Sequence, residues 1–194
     1  MMETGILILA AGNSSRLGEP KQLLNFKGKS LLRNVCEEAL KITKCVVVVT
    51  GSNHSEISKE IENLELSIKE NTNWNEGMGS SISIGVNQLL NSYPTLENCI
   101  ISVCDQPFIN ASVFSELIQM QKDSHKGIIN SKYSETFGVP VLFTKKYFKD
   151  LLNLSGHEGA KKILPKFKDD IAEINFEKGA IDIDTKDDYQ QLIQ

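Results

Sequence analysis

Residues 5–10, Gly-Ile-Leu-Ile-Leu-Ala, form a run without a single polar side chain. A strand with one face in water alternates apolar and polar residues. An unbroken apolar run of this length therefore suits a strand covered on both faces, as in a parallel sheet. The same signature returns at Cys45–Thr50 and Cys99–Cys104. Helix-spaced segments separate these runs. Ser30–Ile42 carries Leu31, Leu32, Val35, Ala39 and Leu40, with Ser30 placed as N-cap, and Gly79–Leu90 sets Ile82, Val86 and Leu89 on one face. Ser55–Ile61 and Ala111–Gln121 read as further helices, and Leu66–Lys69 as a short strand.

Beyond residue 125 the alternation loosens. Strands are predicted at Gly127–Asn130 and Val139–Phe143, joined by a polar loop over Ser131–Phe137. Helices come next at Lys145–Leu152 and Gly159–Phe167, then strands at Ile171–Asn175 and Ala180–Ile183, and a last helix capped by Thr185. Strand-helix repetition of this kind predicts an α/β, Rossmann-like open and mostly parallel sheet with helices on both faces. At 194 residues one domain accommodates it. Ligands of such sheets bind beyond the carboxyl ends of the strands, so the chemistry is sought there.

Charge and composition narrow the function. Lys and Arg number 21 against 25 Asp and Glu, a formal net charge of −4, and no long basic run interrupts that balance. Bulk-charge binding of nucleic acid or of an acidic membrane is thereby disfavoured. No window approaches the ~18 apolar residues of a membrane span, and no signal peptide is apparent, so the cytoplasm is the expected location. The four cysteines, Cys36, Cys45, Cys99 and Cys104, suit neither zinc nor a disulfide framework and read as structural thiols. His54 and His125 stand in polar segments and read as solvent-exposed. No serine or cysteine comes with a convincing His/Asp pair, which leaves a covalent hydrolase mechanism unsupported.

The loop after the first strand reads Leu9-Ala10-Ala11-Gly12-Asn13-Ser14-Ser15-Arg16-Leu17-Gly18-Glu19-Pro20-Lys21. Ala10, Ala11 and Gly12 allow close backbone approach to a ligand, and successive N–H groups can cradle phosphate oxygens. Arg16 and Lys21 add two positive charges suited to a triphosphate. The segment is neither a Walker A loop nor a dinucleotide fingerprint, and by itself it reads equally as a polar loop with two solvated cations. Three later segments carry further candidates. Trp74-Asn75-Glu76-Gly77-Met78-Gly79-Ser80-Ser81 opens a helix whose N–H groups and hydroxyls would face a neighbouring ligand. Asp105, in Cys104-Asp105-Gln106-Pro107, comes directly after a buried strand, where a carboxylate serves either as a magnesium anchor or as a turn former. In Asp182-Ile183-Asp184-Thr185, strand alternation would set both carboxylates on one face, though Asp184 also suits a helix cap.

Leu-Ala-Ala-Gly-x-Ser-x-Arg-Leu-Gly-x-Pro-Lys-Gln-Leu-Leu resembles the signature of MobA-like nucleotidyltransferases, and among them the molybdenum cofactor cytidylyltransferases. The W-x-E-G-M-G-x-S element, the Asp-Gln-Pro turn and the closing Asp-Ile-Asp-Thr match in the same order, with Lys186 where proline is usual. Thr136–Phe143 resembles the family's G-x-P-x-L-F strand. Gly156-His157-Glu158-Gly159-Ala160-Lys161 resembles its G-D-x-G-A-[RK] turn, with His157 where aspartate is common.

The resemblance implies the nucleotide-diphospho-sugar transferase type of fold. It also implies Mg²⁺ as cofactor, CTP as nucleotide donor, a molybdopterin-type phosphorylated acceptor, and a molybdenum dehydrogenase as further partner. By motif match, Arg16, Lys21 and Asp105 would be catalytic. Leu9, Ala10, Ala11, Gly12, Ser14, Gly79, Ser80 and Ser81 would line the nucleotide, and Asp105 with Asp184 (or Asp182) would hold the ion. His157, Gly159 and Lys161 would meet the acceptor. Ala11 favours CTP, because relatives reading Leu-Ala-Gly-Gly tend to be guanylyltransferases. A guanylyltransferase, a transferase with a sugar or polyol phosphate acceptor, and a non-catalytic chaperone that inserts the cofactor into a dehydrogenase are the other readings.

Overall fold

The protein is described by a computed structural model over residues 3–15, 17–134, 136–157 and 159–194. In chain order its elements are β1 (Thr4–Ala10), β2 (Asn25–Phe26), β3 (Lys29–Ser30), α1 (Leu31–Leu40), β4 (Val46–Thr50), α2 (His54–Ile61), β5 (Ser67–Glu70) and α3 (Met78–Ser92). Then come β6 (Asn98–Val103), α4 (Ala111–Ser124), β7 (Ile128–Tyr133), β8 (Thr136–Thr144), α5 (Phe148–Leu152), β9 (Ile171–Asn175) and α6 (Lys186–Ile193). Seven strands make one sheet in the order β5-β4-β1-β6-β8-β7-β9, and β2 with β3 makes a small hairpin. Within the large sheet only β8 runs against its neighbours.

The apolar runs sit where two covered faces require them. Ile6, Ile8 and Ala10 of β1 pack with Val46 and Val48 beneath α1, α2 and α4, through Leu32, Val35, Ile57, Phe114 and Leu117. Leu7 and Leu9 join Val47 and Val49 on the opposite face, against Ile82, Val86 and Leu89 of α3 and Leu151 of α5. Helix α3 lies so close that a Cβ on Gly85 would stand 2.3 Å from Leu7 Cδ1 and 2.9 Å from Val49 Cγ2. Ser30 caps α1 by accepting from the Arg33 N–H at 3.0 Å. All four cysteines are free and buried. No described helix is long and apolar enough to cross a membrane.

A third cluster, Leu17, Leu24, Phe26, Leu31 and Ile183, pins the loop after β1 against the C-terminal segment. It matters for function because Ile183 stands between Asp182 and Asp184. After β1 the chain builds β4 and β5 to one side, then crosses back to lay β6 on the other. The carboxyl ends of β1 and β6 therefore flank the switch point, where open α/β sheets offer a crevice.

Three expectations are corrected. Residues 180–183 form no strand: Glu177–Ala180 is a 3-10 turn, and no sheet partner pairs with 181–184 among the described residues. The helix expected over 159–167 is two short 3-10 turns, Ala160–Lys162 and Leu164–Lys166, with Pro165 inside the second and lacking an N–H for an α-helical bond. Ser131–Phe137 is not mainly loop but the tip of a hairpin, because Lys132 pairs with Phe137 and Tyr133 with Thr136.

Close packing at Gly85 generates a test. Gly85→Val should destabilise the fold by about 1–3 kcal/mol through overpacking, read as a lower urea midpoint with unchanged slope.

Candidate active site

A cleft of about 420 Å³ opens beyond the ends of β1 and β6, bounded on its far side by the start of α3. Leu9, Ala10, Ala11, Gly12, Lys21, Ser81 and Asp105 line it, as do Trp74, Met78 and His157. Of the residues expected around a nucleotide, Ser14, Gly79 and Ser80 are not in its lining. Arg16 lies outside the described residues.

The loop is shaped from beneath by a residue the motif reading did not single out. Gln22 is 1% exposed, and its Nε2 donates to the Ala10 carbonyl at 3.0 Å and the Gly12 carbonyl at 2.9 Å. Both carbonyls are thereby satisfied, while the N–H groups of Gly12 and Asn13 have no partner among the described residues. An anion in the cleft would meet donors rather than acceptors. Ser14, at φ 50°, tightens the turn: its carbonyl accepts from Leu17 at 3.0 Å and Gly18 at 3.3 Å, and its Oγ from the Lys21 N–H at 3.0 Å. Its place is in the loop's scaffold.

The charged centre joins three distant segments. Lys21 Nζ donates to Asp105 Oδ2 at 2.5 Å and to Asp184 Oδ1 at 2.9 Å. Burial opposes the Lys21 charge, yet the Asp105 charge and the hydrogen bonds to both carboxylates outweigh it. The ammonium pKa accordingly stands above the ordinary lysine value. Asp184 is brought in by one backbone and one side-chain anchor, since the Ile183 N–H donates to the Asp105 carbonyl at 2.9 Å and the Ile183 side chain is fully buried. A capping box completes the fixation: Asp188 Oδ2 accepts from Thr185 N–H at 2.7 Å and Asp184 N–H at 3.1 Å, while Thr185 Oγ1 accepts from Asp188 N–H.

Asp182 completes a trio of carboxylates. Burial, then the charges of Asp184 and Asp105, hold its carboxyl above the usual aspartate range. Two carboxylates bonded to one ammonium, with the Asp182 charge nearby, leave a local excess of negative charge, and oxygen donors of this kind suit a hard divalent cation. Among the described residues no group of three or more His, Cys, Asp and Glu is arranged to hold a metal by itself. A cation here would therefore take its remaining ligands from water and from phosphate oxygens. Neighbouring Cys104 is no competitor, since burial pushes its thiol up to about 12.

The start of α3 differs from expectation in its donors. The Gly79 N–H is already used, donating to the Gly156 carbonyl at 2.9 Å, because the turn over 155–157 docks there. Fully buried Asn71, also missed by motif reading, donates to Ser80 Oγ at 2.9 Å and Ser81 Oγ at 3.0 Å. Ser80 then spends its own proton on the Gly77 carbonyl at 2.8 Å, whereas Ser81 faces the cleft. His54, read as exposed, is half-buried below β4, with Nδ1 2.7 Å from Thr50 Oγ1 and 3.1 Å from Ser58 Oγ.

A second cavity of about 340 Å³ adjoins the first and shares Met78, Val103, Asp105 and His157 with it. Gly159, Lys161 and Asp182 stand in its wall. The three acceptor-side residues expected from sequence are thus brought together, with Asp105 at the boundary between two compartments.

Comparison with known proteins identifies this arrangement. Over 184 residues the chain is 24% identical to the molybdenum cofactor cytidylyltransferase of Escherichia coli (strain K12), covering 94% of this chain and 92% of the relative. It is 26% identical over 208 residues to a probable molybdenum cofactor guanylyltransferase of Clostridium perfringens (strain 13 / Type A), covering 100% and 98%. A shorter match, 32% over 118 residues, relates 59% of the chain to 55% of the nicotine blue oxidoreductase of Paenarthrobacter nicotinovorans. In structure the fold superposes on Rv0371c from Mycobacterium tuberculosis H37Rv with a TM-score of 0.81 at 23% identity, covering 100% of this chain and 98% of that one. That mycobacterial protein is also known in complex with manganese, where the TM-score is 0.76 at 21% identity over 99% and 98%. The family model described as the MobA-like NTP transferase domain matches residues 6–171, and the chain is a nucleotidyltransferase belonging to that family.

Proposed function

We propose that the protein transfers CMP from CTP to the phosphate of a molybdopterin-type acceptor and releases pyrophosphate. The observation that carries this reading is the pair of adjoining cavities that meet at Asp105, beside Lys21. A donor nucleotide in the first and an acceptor in the second would bring their phosphates together at that boundary. Ala11 in the wall of the first cavity and the full-length similarity to a cytidylyltransferase support CTP as donor.

An acceptor phosphate oxygen, already ionised, attacks the α-phosphorus in line. The new P–O bond forms as the bond from the α-phosphorus to the α,β-bridging oxygen breaks, and that oxygen leaves with pyrophosphate. No protein nucleophile and no proton transfer from the protein is needed, so the residues act by positioning and charge neutralisation. Donors of the 12–14 loop orient the triphosphate. Lys21 exchanges part of its bonding to Asp105 and Asp184 for phosphate oxygens and neutralises charge gathering on the leaving group, with Arg16 assigned to the same task. Asp105 and Asp184 would hold Mg²⁺, which when bound supplies Lewis-acid neutralisation of the phosphates. Lys161 and His157, on the acceptor side, would meet the incoming phosphate.

The deciding measurement is pyrophosphate release from CTP, GTP and ATP, with and without molybdopterin. CTP should be preferred and release should require the acceptor. Preference for GTP would replace the donor, turnover of sugar phosphates alone would replace the acceptor, and no turnover with any pair would overturn the reading. In a cofactor-delivery assay, Asp105→Ala leaving insertion intact would point to a non-catalytic chaperone.

Two variants probe the charged centre. Lys21→Ala should lower kcat/KM for CTP by about 10²–10³-fold, the size seen when one pre-placed charge donor is removed. For Asp182 the sign comes from its raised carboxyl pKa. Its contribution to stability is present below the unfolded value of ~3.9, and is lost as pH rises through the higher folded value. Asp182→Asn should therefore raise the urea midpoint of the metal-free protein at pH 7, and that gain should vanish by about pH 3.

A further inference from the structure

We propose that the side-chain amides of Gln106 and Asn130 select the acceptor by binding N–H donors on the edge of a flat heterocyclic head. The inference rests on the reading that the second cavity holds the acceptor, and it names the residues that would recognise it. Both residues line that cavity, and both are buried, Gln106 at 6% and Asn130 at 2% exposure. Gln106 Nε2 donates to the Gly179 carbonyl at 2.8 Å, which fixes the orientation of the amide. Its Oε1 is left without a partner, and Asn130 Oδ1 has none either. Buried acceptors without donors are uncommon in folded proteins and call for an explanation. Here two such oxygens belong to residues that line one cavity.

The backbone explains why the sheet tolerates them. Asn130 lies where the pairing of β7 with β8 slips, between Ile129 and Ser131, so it has no regular partner on β8, while on the β9 side it stays in register with Glu173. Gln106 is the residue next to Asp105, which sets its amide beside the boundary where the two cavities meet. The rest of the wall sets the shape of the guest. Val139, Val141, Phe143 and Leu164 are apolar. A polyol would press several hydroxyls against them without partners, whereas a flat ring offers apolar faces to these side chains and N–H donors to the two amides. Ring amides and amino-pyrimidinones carry such an edge, and a pterin is one.

The test separates binding of the head from transfer. A free pterin should bind the wild-type protein in calorimetry, and Asn130→Leu and Gln106→Leu should each weaken it at least tenfold. CTP binding, followed through the single tryptophan, Trp74, in the wall of the first cavity, should stay within twofold in both variants and show that they are folded. With molybdopterin as acceptor, the acceptor KM should rise at least tenfold in Asn130→Leu while the CTP KM holds. No pterin binding to the wild type, or equal binding to both variants, overturns the inference. So does binding of glucose 1-phosphate that depends on the same two amides. Turnover with molybdopterin and an unchanged acceptor KM would remove the inference and leave the function standing. Amide-dependent pterin binding without any turnover would do the reverse.

Discussion

The site depends on one cation held between two carboxylates. Lys21 Nζ reaches Asp105 across 84 residues of sequence and Asp184 across 163, so a single ammonium ties together the loop after β1, the turn after β6 and the entry to α6. Removing one partner of a buried ion group leaves the others uncompensated, which is why such a centre is strongly coupled to the order of its surroundings. Asp105, Asp182 and Asp184 without Lys21 would be like charges forced together. Burial first, and the charges of Asp184 and Asp105 after it, raise the Asp182 carboxyl even with Lys21 in place. The carboxylates at this centre thus outnumber the one ammonium bonded there, the charge balance on which the proposed cation site rests.

The sheet explains why the charges converge. Strands β1 and β6 are parallel neighbours in register from Thr4↔Asn98 to Leu9↔Val103, so the chain leaves both at the same edge. Strand β1 leads into a loop of donors, and β6 leads into a carboxylate. The crossing of the chain from one side of β1 to the other opens the crevice that both border. Antiparallel β8 and its hairpin partner β7 extend the sheet beyond β6 and supply the wall of the second cavity. The two cavities thus border two stretches of one sheet edge and share Asp105.

Much of this is legible in the residues. The apolar runs at 5–10, 45–50 and 99–104 mark strands buried on both faces, because continuous apolar side chains have no other stable place. Ser30 and Thr185 show as caps because their hydroxyls lie where a helix needs an acceptor. The hidden features depend on partners distant in sequence. The Gly79 N–H would face a ligand were it not for Gly156, which arrives from 77 residues away and takes it. Asp182 and Asp184 read as strand residues through their alternation around Ile183, but alternation makes a strand only where a neighbour offers a ladder, and among the described residues none does. Asn71 and Asn130 lie outside the quoted motifs, and Gln22 and Gln106 lie inside them without a role that the pattern reveals. An amide is recognisable as a scaffold or a recognition group only when its burial and partners are known.

The division of labour between stability and function rests on these placements. Lys21 offsets the repulsion between Asp105 and Asp184, and an uncharged residue holds the backbone of the acidic segment as well. Ile183 does so, fully buried with Leu17, Leu24, Phe26 and Leu31, as the apolar residue between two acidic ones. Leu17 fixes the phosphate-side loop by the same cluster, and Gln22 fixes its carbonyls from below. The loop and the carboxylate segment therefore share one apolar anchor. Loosening that anchor would move the loop and the acidic segment together, so the register between them is set by packing as well as by the ion pairs of Lys21.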